Sequence, residues 1–146
     1  MHQKRVFHLM MRMAKDVVER AHHHDMSKFG EEEFPHYANV IEEFEKFSFG
    51  SDGYNCAREK LGIALKHHYE NNRHHPEHFP NGIDDMNLID ILEMICDWKS
   101  ATQNHSAVKG DISNSVEILS EKYKINPQLK SIIYNTLRDF KALNNE

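Results

Sequence analysis

The chain has 146 residues, of which 39% are hydrophobic and 28% are charged, and its formal net charge is −5 with histidine counted as neutral. This length is typical of one domain that buries its own core, and the composition excludes the collagen-like, disordered and membrane-spanning classes. A protein that binds nucleic acid through its bulk charge should be basic, so the negative net charge argues against that class.

The cysteines and the first residues bear on localisation. Cys56 and Cys96 are the only cysteines, and they lie far apart in no metal-binding spacing, which favours reduced thiols in the cytoplasm. The start of the chain contains Lys4 and Arg5, but charged residues such as Arg12 interrupt the segment that follows. We therefore expect no signal peptide, a cytoplasmic location and no membrane partner.

Apolar residues recur at steps of three and four along almost the whole chain, which predicts amphipathic helices. In chain order, the predicted helices cover about residues 3–21, 31–47, 54–72, 86–103 and 113–123, and a last helix follows. The last helix is predicted to have Asn126 as its N-cap and Pro127 as its first residue. Pro76 disfavours the helical conformation at His75, so the third helix should end near residue 73 or 74.

The expected fold class is all-α, because no alternating strand pattern of any length occurs. We expect a single compact bundle of five to six helices that forms one domain over residues 1–146. Residues 1–104 carry the motifs described below. Residues 105–146 are expected to be C-terminal helices that pack on the motif-bearing core, and the chain carries no chemical signal from about Lys109 onward.

Histidine is the unusual component of the composition. The chain has 12 histidines, and eight of them fall between His22 and His24 or between His67 and His78. Imidazole is the commonest transition-metal ligand and the usual acid–base group near neutral pH. These two stretches therefore indicate a site, although an exposed histidine-rich turn is the alternative interpretation.

The first motif is His24-Asp25, with Lys28 three residues later. An imidazole and a carboxylate that are adjacent at a helix end can bind one cation, and the carboxylate can also bridge two cations. Lys28 would be within reach of a bound anionic group. The alternative is a solvated polar turn.

The second motif runs from His67 to His78. His68 lies on the apolar stripe of its predicted helix, where a lone histidine is more often a core residue than a ligand. Here His74 and His75 follow just past the helix end, where the chain can fold back over the same pocket. Arg73 could bind a phosphate or carboxylate through two parallel hydrogen bonds.

The third motif is acidic. Asp90, Glu93 and Asp97 share one face of the fourth predicted helix. Asp97 has apolar neighbours, and a carboxylate there is costly to bury unless it is paired or metal-bound. The other two acids are ambiguous, since a run of acids on a helix usually faces water. Mixed imidazole and carboxylate ligands suit one or two ions of Mn²⁺, Fe²⁺, Co²⁺, Ni²⁺ or Zn²⁺.

These motifs resemble two groups of proteins. The segment from His24 to Lys28 resembles the His-Asp-x-x-Lys signature of the HD-domain metal-dependent phosphohydrolases. The stretches from His74 to Gly82 and from Ile95 to Ala101 resemble segments of the same superfamily, including its HD-GYP branch. The chain is more closely similar to short uncharacterised bacterial and phage proteins. Their shared motifs correspond here to the segments from His24 to Phe29, from Asn72 to Phe79 and from Glu93 to Trp98.

The resemblance implies an HD-like helical fold with a metal site, and we take six residues as candidate ligands. The candidate metal ligands are His24, Asp25, His68, His74, His75 and Asp97. His67 is a further alternative among the histidines. Lys28 and Arg73 would contact phosphate, and we group Glu77 with them as candidate catalytic residues.

The resemblance also predicts a histidine on an earlier helix, for which His2 and His8 are the candidates. If residues 3–21 form one straight helix, His8 lies roughly 24 Å along the axis from His24, at about 1.5 Å per residue. In that case His8 could not share the metal, so either the helix breaks or this ligand is missing.

The leading hypothesis is a metal-dependent phosphohydrolase that acts on a nucleotide or another small phosphate ester by metal-activated water. The alternatives are a non-catalytic, metal-stabilised helical binding protein and a di-iron oxygenase of HD-like fold. A nuclease is disfavoured by the negative net charge. Whether the chain forms a homodimer is left open.

Overall fold

The structure is a computed structural model that describes residues 1–47, 50–102 and 112–143, with side chains described up to residue 139. The described residues form an all-helical fold without strands. The helices are α1 His2–His23, α2 Phe34–Lys46, α3 Asp52–Lys60, α4 Ile63–Asn71, α5 Leu88–Ala101, α6 Ile112–Lys122 and α7 Pro127–Leu143. Short 3₁₀ turns cover Met26–Phe29, Pro76–His78 and Gly82–Asp85. The all-α prediction is confirmed, and the number of helices in the described ranges is seven rather than five or six.

The additional helix arises because the predicted helix over residues 54–72 is divided into α3 and α4. The division occurs at Gly62, whose φ of +50° is rarely adopted by residues with a side chain. Helix α4 also ends earlier than predicted, at Asn71, before the loop that carries His74 and His75. His75 is extended, with φ −95° and ψ 125°, as the following proline predicts.

Side-chain caps define the starts of two helices that the sequence indicates. Asn87 accepts from the backbone N–H of Asp90 at 3.0 Å, and the Asp90 carboxylate accepts from the backbone N–H of Asn87, which is a capping box. At the start of α7, Asn126 Oδ1 accepts from the backbone N–H of Leu129 at 2.9 Å. The predicted N-cap at Asn126 is therefore confirmed.

The apolar core lies between α5 and the two C-terminal helices. Met94, Ile95 and Trp98 of α5 pack against buried side chains of α6 and α7, including Val116 and Ile133. Fully burying one such side chain stabilises a fold by about 1.5–3 kcal/mol. The core therefore fixes α5, and α6 and α7 pack against it. The predicted end of the fourth helix at residue 103 and the boundary between residues 104 and 105 lie outside the described residues.

Helices α1 and α5 lie side by side and run in the same direction. Arg20 contacts Asp90 near the start of α5, whereas His24 lies 3.8 Å from Asp97, two turns further along. Since the contacts advance together on both helices, the end of α1 is placed beside the middle of α5. No helix in the described ranges combines the length and the apolar character that a membrane span requires.

Candidate metal centre

The first motif sits where α1 ends. His24 follows the last helical residue, and Asp25 has a positive φ of 57°. Aspartate tolerates this left-handed conformation better than most residues do. The chain then turns through Met26–Phe29, and Lys28 Nζ donates to Asp25 Oδ2 at 2.5 Å. The sharp reversal turns both His24 and Asp25 towards the same region.

The second motif approaches from α4 and the loop after it. His68 occupies the last turn of α4 and is buried. His74, in the loop, is also fully buried, and the centroid of its ring lies 4.1 Å from that of His75. The third motif comes from α5, which contributes Glu93 and Asp97.

Six side chains from these segments form two adjoining groups of possible metal ligands, with one ligand atom from each residue. The groups are Asp25, His68, His74 and His75, and His24, Asp25, His74 and Asp97. In each group, the ligand atoms all lie within 4.8 Å of one another. Asp25 and His74 belong to both groups. All six ligands expected from the sequence are therefore brought together.

Asp25 lies at the centre of the cluster and presents a different oxygen to each side. Its Oδ1 lies 3.3 Å from His68 Nε2 and 3.4 Å from His74 Nε2. Its Oδ2 lies 3.5 Å from His24 Nε2. The remaining imidazole, that of His75, meets His68 directly, since the two Nε2 atoms lie 2.9 Å apart. Nitrogen atoms of several rings thus converge on one carboxylate.

Two glutamates hold the outer edges of these rings. Glu93 Oε1 accepts from His24 Nδ1 at 2.9 Å and lies 3.1 Å from His74 Nδ1. Glu33, which is fully buried, accepts from His68 Nδ1 at 2.9 Å and from His67 Nδ1 at 2.7 Å. A carboxylate on Nδ1 fixes the tautomer so that Nε2 offers its lone pair inward. This arrangement is typical of histidines that bind metals.

The residues also pass a test of fit for a cation. Buried polar atoms in folded proteins normally have a hydrogen-bond partner. Within the described part of the chain, Asp25 Oδ1 and His74 Nε2 are buried and make no hydrogen bond. They face each other across 3.4 Å. A cation coordinated by both atoms would satisfy them, so the donor set fits a divalent metal ion.

The surroundings set the protonation of Asp25 and His75 in a way that suits metal binding. Burial opposes ionisation of Asp25, but the neighbouring His68 and Lys28 outweigh it and hold its pKa well below the usual range. Burial and the neighbouring His74 and His68 lower the pKa of His75 to about 2, so this ring stays neutral. Burial raises the pKa of Asp97. A carboxylate and a neutral imidazole are the forms that bind metals.

The three candidate catalytic residues are placed differently. Lys28 lies directly beside Asp25. Arg73 makes two hydrogen bonds to Asp90, from Nε at 3.0 Å and from Nη2 at 2.9 Å, and its guanidinium stacks over Phe79. The Glu77 carboxylate is bound by Lys122 and Tyr123 instead of facing the cluster.

Sequence reasoning missed Glu33 and left Glu93 and Asp90 ambiguous. Glu33 follows two other glutamates, which is the pattern of a solvated face, and no local signal marks it as buried. Asp90 is fully buried between Arg20 and Arg73, because its carboxylate pairs with both guanidinium groups. The acidic residues of α5, whose pattern is typical of a solvent-exposed helix face, are therefore mostly buried.

The earlier histidines take no part in the cluster. Helix α1 is unbroken from His2 to His23, and both His2 and His8 are exposed on its first turns. The position that the HD resemblance assigns to an early histidine is thus without a ligand from α1.

The comparisons with known proteins identify a family but no relative of established function. No curated protein matches the chain, and no solved structure matches it either. A family model described as "Family of unknown function (DUF5662)" matches residues 1–139, a range that contains every residue of the cluster. The chain therefore belongs to this family of unknown function.

Proposed function

We propose that the protein is a metal-dependent phosphohydrolase that acts on a nucleotide or another small phosphate ester. The observation that carries this proposal is the convergence of four imidazoles and two carboxylates into two ligand groups that share Asp25 and His74. The ligand types suit Mn²⁺, Fe²⁺, Co²⁺, Ni²⁺ or Zn²⁺. The two oxygens of Asp25 approach different histidines, so we propose that the cluster holds one or two ions.

The exposure of the ligands favours a reactive centre over a purely structural one. His68 and His74 are buried, whereas about a third of each side chain of His24 and Asp97 is exposed, at 31% and 32%. Structural metal sites are closed by protein ligands, while catalytic sites keep one position open to water or substrate. The edge formed by His24 and Asp97 is the open side in our proposal.

A bound divalent ion would lower the pKa of a water molecule and neutralise charge on a phosphate group. Side chains of the protein would stabilise the remaining charge on the phosphate. Lys28 borders the cluster, with its ammonium group 5.2 Å from the centroid of the Tyr37 ring and its side chain 36% exposed. It can move from Asp25 to a phosphate oxygen when a cation takes its place at the carboxylate. Lys28 is therefore our candidate for stabilising the developing charge.

The other two candidates have weaker roles in this proposal. Arg73 neutralises the buried Asp90 through two hydrogen bonds, so it supports α5 rather than the phosphate. Glu77 is bound to Lys122 and Tyr123, and we assign no catalytic step to it. The likeness to HD enzymes that we propose rests on the His-Asp pair and Asp97, and the site differs from theirs by the lack of a ligand from the start of α1.

The test combines metal analysis with an activity screen. The purified protein is expected to contain a transition metal and to hydrolyse a nucleotide or a phosphate ester when Mn²⁺ or Co²⁺ is supplied. Asp25→Asn and Asp97→Asn should each lower the metal content, because each removes a charged ligand. Asp84→Asn, which changes an exposed aspartate, is the matched control. If Asp25→Asn binds as much metal as the wild type, the centre as described is wrong.

A second candidate is a non-catalytic metal-stabilised protein. It is favoured by the number of segments that meet at the cluster, namely the end of α1, α4, the loop after α4 and α5. This candidate predicts bound metal, no turnover of any phosphate ester, and unfolding when the metal is chelated. The di-iron oxygenase alternative predicts iron content and oxygen uptake instead.

A further inference from the structure

Most of α1 has no covering layer in the described part of the chain. Every residue from His2 to Asp16 is exposed, and Val17 is the first that is partly covered. Helix α5 begins at Leu88, close to the turn of α1 that carries Arg20, so the earlier turns of α1 continue past its end. At about 1.5 Å per residue, this exposed part is roughly 22 Å long.

The exposed part of α1 is strongly amphipathic. Its exposed apolar side chains are Val6, Phe7, Leu9, Met10, Met11 and Met13. Each of these side chains is between 39% and 66% exposed. A helix of this length is marginal in water without tertiary packing, and a continuous apolar face of this kind marks an interaction surface. The face therefore needs a partner.

Two of these residues, Phe7 and Met10, belong to a line along α1 whose spacing indicates what that partner is. Positions 3, 7, 10, 14, 17 and 21 follow alternating steps of four and three, which is the heptad pattern of a coiled coil. We name this line of residues the α1 seam. Its members are Gln3, Phe7, Met10, Ala14, Val17 and Ala21. The alanines leave room for close approach of a second helix.

The α1 seam is symmetric about residue 12. In an antiparallel pair of identical helices, position 3 lies opposite 21, position 7 opposite 17, and position 10 opposite 14. Phe7 would then face Val17 of the second copy, and Met10 would face Ala14. A self-complementary surface of this kind generates a closed two-fold dimer. The exposed N-terminal half of each α1 would be covered by the C-terminal half of the α1 of the other copy.

The charges are also complementary. Residues 2–16 contain Lys4, Arg5, Arg12, Lys15 and Asp16, which gives a net charge of +3. Because the whole chain has a net charge of −5, the remaining residues have −8. Antiparallel pairing places the basic half of each helix beside the acidic remainder of the other copy. Opposite charges favour such an encounter.

We propose that the α1 seam binds the α1 seam of a second copy of this chain in antiparallel orientation. The proposal is independent of the metal chemistry, because no candidate ligand lies on the seam. Sedimentation of the full chain at micromolar concentrations should give twice the mass of the 17.2 kDa single chain. Met10→Glu should weaken the dimer at least tenfold, since it places two charges at the apolar centre of the pair.

His8→Glu is the matched control, because it adds the same negative residue on the polar side of α1 and should leave the dimer intact. A disulfide test gives the orientation, even if Met10→Glu fails to fold. In a background with Cys56→Ser and Cys96→Ser, the single variants Gln3→Cys and Ala21→Cys should crosslink when mixed but not when alone. Self-crosslinking of Gln3→Cys alone, a monomer at every concentration, or binding to anionic vesicles by a chain that stays monomeric would each overturn the proposal.

Discussion

Asp25 illustrates how much a single backbone conformation contributes to the site. Its positive φ places one carboxylate oxygen between His68 and His74 and directs the other towards His24 and Lys28. The left-handed conformation costs an ordinary residue about 1–2 kcal/mol, and aspartate is among the residues that adopt it most easily. Such strain in a folded protein is concentrated at functional positions.

A substitution at Glu93 tests whether the glutamates that contact Nδ1 atoms orient the histidines of the cluster. It binds His24 Nδ1 and lies beside His74 Nδ1, so Glu93→Gln should leave both rings less well oriented. Loss of a carboxylate behind a metal-bound histidine typically lowers metal affinity by about 10–100-fold. We expect a loss in this range for Co²⁺, measured by competition with a chelating dye.

The control for that experiment is Glu59→Gln, which changes an exposed glutamate of α3. It should bind Co²⁺ as tightly as the wild type. An unchanged affinity in Glu93→Gln would mean that the glutamate has no part in orienting the ligands.

The residues that meet in the cluster could be picked out from the sequence as candidate ligands because they lie in short dense motifs. Two histidine clusters and an aspartate among apolar residues each produce a local signal. Glu33 produces none, since its role depends on α4 bringing His67 and His68 to it from more than thirty positions away. Likewise, no local pattern shows that Arg73 forms an ion pair with Asp90. Partner choice between distant segments is a property of the fold.

At the scale of helices, the division between α3 and α4 is the main departure from expectation. Ala57, Leu61, Ala64 and His68 keep one helical period across the division, so the apolar pattern predicts a single helix. Only Gly62 signals the break, and a lone glycine inside a helical pattern is often tolerated. The structure nevertheless divides the segment at Gly62, and His68 lies on α4, after the break.

Gly62→Ala tests this break. The backbone at residue 62 has φ +50° and ψ −115°, and a Cβ there would meet no atom within 4 Å. The expected destabilisation therefore comes from backbone strain alone and should be about 1–3 kcal/mol in the free energy of unfolding. Urea denaturation measures it, with Glu59→Ala as a control at an exposed helical position. A stability equal to that of the wild type would show that the chain does not need the positive φ.

For the whole molecule, the buried histidine predicts a dependence of stability on pH. The pKa of His75 is about 2 in the folded state and 6.5 in the absence of burial. Between these values the unfolded chain binds a proton that the folded chain does not, so stability falls as the pH falls. Asp25 and Glu93, whose pKa values are lowered in the folded state, add to this loss only below the usual carboxylate range. The pKa of His24 is raised by its hydrogen bond to Glu93, so its protonation stabilises the folded state, and this stabilisation is fully present below pH 6.5.

The metal-free protein should therefore lose at most about 1.4 kcal/mol per pH unit between about pH 6 and pH 5 through this group. Urea denaturation in the presence of a chelator measures the loss. The variant His75→Asn should show a shallower dependence over the same interval. A slope identical to that of the wild type would mean that residue 75 is not the buried neutral group.

The backbone itself contributes to the preference of the centre for positive charge. Helix α1 ends at His23, just before His24, and α4 ends at Asn71, between His68 in its last turn and His74 in the following loop. The aligned peptide dipoles of a helix leave about half a negative elementary charge at its carboxyl end. Two such ends therefore converge on the cluster, so even before any side chain is counted the local field attracts cations and resists a free anion.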